Sequence, residues 1–144
     1  MFSKTYHYAL RATVVVALAS KRGQRATLPE IAAHTGAPKA FMAKVLQDLV
    51  RGGILSSRRG PNGGFGLAPE RAEGMSLSKI ADAVGGENVT RNCVMGLAQC
   101  DENRPCPLHK DFCAVKETVT RLLASTKVSD LVDGLDRGTT HVKR

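Results

Sequence analysis

The sequence contains no tryptophan, and only two tyrosines and four phenylalanines occur among its 144 residues. Proteins that bind single-stranded nucleic acids without sequence preference stack successive bases on aromatic side chains. The scarcity of aromatic residues therefore disfavours that class of protein. The chain also lacks any stretch that approaches the ~20 apolar residues of a transmembrane helix, and we expect no membrane-spanning segment.

Signals for export and for catalysis are missing as well. The apolar run from Val14 to Ala19 is short, and Tyr6, His7 and Arg11 interrupt the charged and apolar parts that a signal peptide would need. We therefore expect a cytoplasmic protein, in which free cysteines are more often metal ligands or redox thiols than disulfides. No nucleophile–base pair and no phosphate-binding loop is recognisable, which argues against an enzyme with a small-molecule substrate.

Acidic residues are scarce in the first half of the chain. Residues 1–66 contain ten Lys and Arg against two Asp and Glu, whereas residues 67–144 contain eleven of each kind. The whole formal net charge of +8 therefore lies in the N-terminal half. Such segregation indicates a surface for a polyanion, either a nucleic acid or an acidic membrane surface.

The basic half carries the pattern of three helices. Apolar residues at helical spacing predict a helix over residues 4–20. A capping box of Thr27 and Glu30 predicts a short helix over residues 28–34, and a turn leads to another helix over residues 38–51. One face of this last helix is predicted to be buried, and it consists of Met42, Val45, Leu46 and Leu49.

A β-hairpin with a basic tip is predicted directly after these helices. Residues 54–57 and 65–67 have the pattern of short strands, and the turn between them is rich in arginine and glycine. A basic hairpin that follows a helix-turn-helix is a wing, and it accounts for the segregated charge. The sequence therefore predicts a mainly α fold with a small β-wing, in which residues 1–68 form a winged helix-turn-helix domain.

Three of the four cysteines lie in one polar segment rich in proline and glycine. Cys93, Cys100 and Cys106 are spaced C-x6-C-x5-C, and His109 follows at C-x2-H. The Pro and Gly residues predict an irregular loop, which can wrap its thiolates around a metal centre. The spacings are too long for the knuckles of a structural zinc site and modestly favour an iron–sulfur cluster. Unrelated thiols or a single disulfide are the alternative.

The C-terminal half is predicted to be helical around this loop. A short helix over residues 76–84 precedes the loop, and the longest helix follows it, over residues 108–125, with an apolar stripe of Leu108, Phe112, Val115, Val119, Leu122 and Leu123. A long amphipathic helix at the end of a small winged-helix domain is expected to pack against its copy in a homodimer. We assign residues 69–135 to the cluster loop and dimerisation helix, and residues 136–144 to a disordered basic tail.

These motifs together resemble the bacterial Rrf-type transcription regulators over nearly the whole chain. The resemblance rests on residues 8–12 in the first helix, residues 28–32 in the second, and Phe41-Met42-x-x-Val45-Leu46-x-x-Leu49 in the third. Its most specific element is the wing, Ser57-x-Arg59-Gly60-Pro61-x-Gly63-Gly64-Phe65. The cysteine loop and the long helix fall where this family has its cluster loop and its dimerisation helix.

The resemblance implies a [2Fe–2S] cluster held by Cys93, Cys100, Cys106 and His109, as in the members with three cysteines and one histidine. One residue more separates the first two cysteines here. Other members hold a [4Fe–4S] cluster with three cysteines and an N-terminal carboxylate of the partner subunit, a position occupied here by His7. Cys113, four residues after His109, is a further candidate for the fourth ligand, although we interpret it as a buried structural thiol.

The resemblance also implies which residues contact DNA. They are Lys39, Ala40, Ala43 and Lys44, which face the major groove, and Arg58, Arg59, Gly60 and Asn62 of the wing. We therefore predict a homodimeric regulator that binds an inverted repeat in double-stranded DNA and is controlled by an iron–sulfur cluster. A zinc-stabilised winged-helix protein without a cluster is the alternative.

Overall fold

A computed structural model of the chain describes residues 2–85 and 92–142. Its helices are α1 (Lys4–Lys21), α2 (Leu28–Thr35), α3 (Lys39–Arg51), α4 (Pro69–Gly74), α5 (Leu77–Ala83), α6 (His109–Ser125) and α7 (Val128–Asp136), and its strands are β1 (Ser56–Arg58) and β2 (Gly64–Gly66). This confirms the mainly α fold with a small β-wing. The pair Gly85-Gly86 predicts the end of the helix over residues 76–84, and Gly86 lies outside the described ranges. The last two residues of the predicted tail lie outside them as well.

The first three helices begin and end where their local chemistry predicts. The Glu30 carboxylate accepts hydrogen bonds from the backbone N–H and the hydroxyl of Thr27, at 2.7 and 2.9 Å, so that the predicted capping interaction starts α2. Gly36 ends this helix with a φ of 71°, a conformation that favours glycine. The predicted apolar face of α3 is fully buried against α1 and α2 at Met42, Val45, Leu46 and Leu49.

The two strands of the wing are shifted from their predicted positions. Ile54 and Leu55 are buried in the core, and both of their N–H groups donate to the carbonyl of Leu49, so they continue the turn after α3. The antiparallel pair of strands begins further along the chain, at Ser56, and aligns Ser57 with Phe65. Ile54 and Leu55 have a high intrinsic preference for strands, but burial in the core and the hydrogen bonds of the turn keep them out of β1.

The second half adds helices that pack on α1. Helix α4 was not predicted as a separate element. The sequence predicts a final short turn capped by Ser129, whereas α7 begins after Lys127. The reason is that the Asp130 carboxylate accepts the Lys127 N–H at 2.8 Å. Val128 and Val132 of α7 are buried in the same core cluster as residues of α1 and α3. The hydrophobic core therefore continues across residue 68. The predicted boundaries between the domains remain a prediction.

The first residues of the predicted tail belong to α7 and to the turn that follows it. Asp136 still belongs to α7, and the N–H groups of Thr139 and Thr140 donate to the Gly134 carbonyl at 3.0 and 3.2 Å. This turn closes α7 because it satisfies a carbonyl of the last helical turn. Among the described residues, no helix combines the length and the apolar character that spanning a bilayer requires.

Candidate metal centre and nucleic-acid interface

The cysteine segment forms an irregular loop that leads directly into α6, as predicted. Cys93 is buried, and the N–H of Gly96 closes a turn onto its carbonyl. The N–H of His109 donates to the Cys106 carbonyl at 2.9 Å, which joins the loop to the first turn of α6. The Sγ atoms of Cys93 and Cys106 lie 3.9 Å apart. The two outer cysteines of the loop therefore form one pair.

The remaining thiols lie on either side of an imidazole ring. Cys100 Sγ is 3.4 Å from Nδ1 of His109, and Cys113 Sγ is 3.6 Å from Nε2 of the same ring. The ligand atoms of these three residues all lie within 4.8 Å of one another. Such a group of soft sulfur and imidazole donors can hold zinc or part of an iron–sulfur centre.

The predicted set of four ligands is therefore found as two groups. Among residues 2–85 and 92–142, the one group of at least three close ligand atoms consists of Cys100, His109 and Cys113, whereas Cys93 and Cys106 pair with each other. Cys113 is only half-buried, and it contacts His109 instead of standing alone in the core. The signal for this contact was the four-residue spacing, which brings two side chains to one helix face. His7 is exposed on α1.

The electrostatic environment distinguishes the cysteines. The pKa of Cys93 is lowered from its ordinary value, first because the backbone N–H groups of Met95 and Leu97 donate to its sulfur, and further because Cys106 and the charge of Lys116 lie near. Burial raises the pKa of Cys113, and the neighbouring Cys100 adds to that rise. The surroundings of Cys93 thus favour its thiolate form, whereas those of Cys113 disfavour it.

The predicted DNA-contacting residues lie on the surface of the basic half. On α3, Lys39, Ala40 and Lys44 are exposed and Ala43 is half-buried, on the side away from the buried face. All four predicted wing residues are exposed: Arg58 at the end of β1, and Arg59, Gly60 and Asn62 in the turn that follows it. A Cβ on Gly63 would clash with the Arg58 carbonyl oxygen, so the tight tip requires glycine there.

The residue that holds the base of the wing was not predicted from the sequence. Arg25 donates from Nε to the Gly64 carbonyl at 3.2 Å, and from Nη2 to the carbonyl and hydroxyl oxygens of Ser56 at 3.1 and 3.0 Å. Its neighbour Ala26 forms a β-bridge with Phe65. A lone arginine in a loop carries no sequence signal for this role, because both partners are reached only through the tertiary fold.

A helix-turn-helix followed by a basic wing is the architecture of the winged-helix DNA-binding regulators, a class in which an α-helix generally reads the major groove. A family model described as an iron-dependent transcriptional regulator, Rrf2, matches residues 2–134. The chain belongs to the Rrf2 family and is a DNA-binding transcriptional regulator. This confirms the family that the sequence motifs predicted. The regulators of this family are DNA-binding proteins and not enzymes, as was also predicted.

Similar proteins agree with this assignment. A protein of Aquifex aeolicus named as an HTH-type transcriptional regulator is 30% identical over 135 residues, which cover 92% of each chain. The regulator IscR of Photorhabdus laumondii is 28% identical over 126 residues, which cover 88% of this chain and 75% of that protein. The structure of CymR, the global cysteine regulator of B. subtilis, shares the fold with a TM-score of 0.74 at 17% identity, covering 92% of this chain and 96% of that one.

Proposed function

We propose that this regulator is a homodimer whose binding to an inverted-repeat operator is controlled by an iron–sulfur cluster. The observation that carries the proposal is the collection of four thiols and one imidazole on the loop and first turns of α6, within a DNA-binding fold of this family. The likeness to IscR, which extends over 88% of this chain, supports it.

The donor set fits a cluster better than a zinc ion. Thiolates suit both, but the long gaps between the cysteines suit a body larger than one ion. We assign Cys93, Cys100, Cys106 and His109 as ligands of a [2Fe–2S] cluster, with [4Fe–4S] or zinc as the alternatives. Cys113 competes with His109 for the fourth position because its sulfur lies only 3.6 Å from the imidazole. A bound cluster would supply one-electron redox chemistry and a target for nitric oxide.

The protein itself links this centre to the DNA-binding half through helix packing. His109 and Cys113 lie at the start of α6, which packs on α5, and α5 in turn contacts α1 and α3. A change in the order of the loop would therefore alter the position of α6, and through it the relation of the two recognition helices in the dimer.

The exposed face of α6 supports the homodimer. Leu108, Val115 and Leu122 recur every seven residues along one line of the helix, and they remain 48%, 45% and 59% exposed. Leu123 instead packs on the core of its own chain. The predicted stripe is thus divided, and a second copy of α6 would cover the part that is left exposed. Two-fold symmetry would then place one α3 and one wing on each half-site.

Anaerobic purification with iron and sulfide analysis tests the cluster. We expect visible absorption with equal amounts of iron and labile sulfide, and weaker or stronger binding to an operator fragment after the cluster is removed. Zinc with a colourless protein would contradict the proposal, and so would operator binding that is the same with and without the cluster.

Single substitutions test the ligand assignment. We expect Cys93→Ala, Cys100→Ala and Cys106→Ala each to abolish the visible spectrum, and His109→Ala to alter it. Cys113→Ala is the matched comparison and should leave the spectrum intact. If Cys113→Ala bleaches the protein while His109→Ala does not, then Cys113 is the fourth ligand.

A further inference from the structure

A lysine on α6, Lys116, is buried three residues after Cys113. Only 6% of the surface of Lys116 is exposed, and among the described residues its Nζ atom has no hydrogen-bond acceptor. The ring of Phe112 lies 5.5 Å from this nitrogen and offers a cation–π contact. One aromatic face compensates only part of the cost of desolvating an ammonium group. A buried cation of this kind implies that a negatively charged group lies next to it in the functional protein.

The position of Lys116 indicates where that negative charge lies. It follows Cys113 by three residues and His109 by seven, so all three side chains lie on one side of α6. Helical side chains lean toward the N-terminus of their helix, and the Lys116 chain therefore leans toward the thiols. The ring of Phe112, one turn closer to that N-terminus, lies 5.5 Å from the Lys116 Nζ atom and agrees with this direction.

We propose that Lys116 is the internal counter-ion of the metal centre formed by the cysteines of the loop and the start of α6. Three thiolates around a divalent metal ion or a [2Fe–2S] cluster carry net negative charge, and further negative charge enters when a cluster takes up an electron. A buried cation beside the thiolates stabilises both the binding of the metal or cluster and its reduction, since few water molecules screen the charge of the cation. Lys116 is a positioning and charge-balancing residue in this role, not a ligand. The inference rests on the proposed metal centre.

Cobalt binding tests the charge balance without any cluster. Co²⁺ is titrated into the reduced apoprotein, and its affinity is read from the sulfur-to-cobalt absorption. We expect Lys116→Met and Lys116→Gln to lower the affinity by about tenfold or more, the effect of one nearby charge in a poorly screened site. Lys116→Arg, which retains the charge, should restore most of it. Lys110→Met removes an exposed lysine from the same helix and should change the affinity by less than about threefold, because water and salt screen that charge.

Reduction of the reconstituted protein provides a second, independent measurement. In Lys116→Met the equilibrium constant for one-electron reduction should fall about tenfold, which corresponds to a midpoint potential lower by about 59 mV. The metal-free Lys116→Met protein should in contrast unfold at a higher temperature than the wild type, because it no longer buries an uncompensated ammonium group. A merely structural lysine would give the opposite change in stability.

The outcomes separate this inference from the proposed function. If the wild type takes up no iron and sulfide, the proposed cluster is wrong, and the cobalt titration still decides the role of Lys116. If the neutral variants and Lys116→Arg bind Co²⁺ equally well, the counter-ion role is refuted. It is refuted as well if Lys116→Met keeps the wild-type potential.

Discussion

The wing of this regulator depends on one arginine outside it. Each strand of the wing has three residues, and an isolated pair of such strands is marginally stable at best. Arg25 joins the two strands through three hydrogen bonds from one guanidinium group. We expect Arg25→Lys to loosen the wing although the charge is retained, because an ammonium group cannot reproduce the planar fork that reaches both strands.

The magnitude follows from these hydrogen bonds. Arg25 is half-buried, so each bond is taken at about 0.5–1 kcal/mol, the lower part of the usual range. Their loss weakens the attachment of the wing by about 2 kcal/mol, or about 30-fold in the equilibrium between attached and detached wing. Operator affinity should fall by up to the same factor if the wing arginines contact DNA as proposed, because a detached wing would no longer hold them in place.

Amide hydrogen exchange measures this attachment directly. The N–H of Phe65 donates to Ala26 at 2.8 Å and the N–H of Ala26 donates to Phe65 at 3.0 Å, so both amides are protected only while the wing is attached. In Arg25→Lys both should exchange about 30-fold faster. Arg22→Lys is the matched control, since Arg22 contacts Asp136 and not the wing. Wild-type exchange of both amides in Arg25→Lys would refute the reasoning.

Three further predictions concern DNA binding, assembly and the wing. Arg58→Ala with Arg59→Ala should lower the log–log salt slope of DNA binding by about one for each phosphate that the wing no longer neutralises, and an unchanged slope would contradict the assigned role of these arginines. Leu122→Asp should give monomers in sedimentation, because it buries a charge in the proposed α6 seam, whereas Ala124→Asp on an exposed, opposite part of the helix should remain dimeric. Gly64→Ala would bring a Cβ within 2.7 Å of a backbone carbonyl oxygen at a φ of 122°, and urea unfolding should show a loss of about 1–3 kcal/mol.

The sequence by itself determined the elements whose signals are local. Apolar spacing identified the buried face of α3, the side chains of Thr27 and Glu30 marked the start of α2, and the composition of residues 93–109 predicted an irregular loop. These features depend on neighbours three or four positions apart, and such neighbours can be recognised in the sequence. The wing motif indicated the family for the same reason, since its glycines and arginines follow one another directly.

Only the tertiary structure decided the features that join distant parts of the chain. It placed Cys113 against His109 while Cys93 paired with Cys106, and it attached Arg25 to strands about thirty and forty residues away. It also buried Lys116, although lysine is almost never fully buried unless it is paired. Spacing along the chain limits which thiols can meet, but the path of an irregular loop decides which of them do. The burial of a charge likewise depends on every element that packs around it, and no local pattern contains that information.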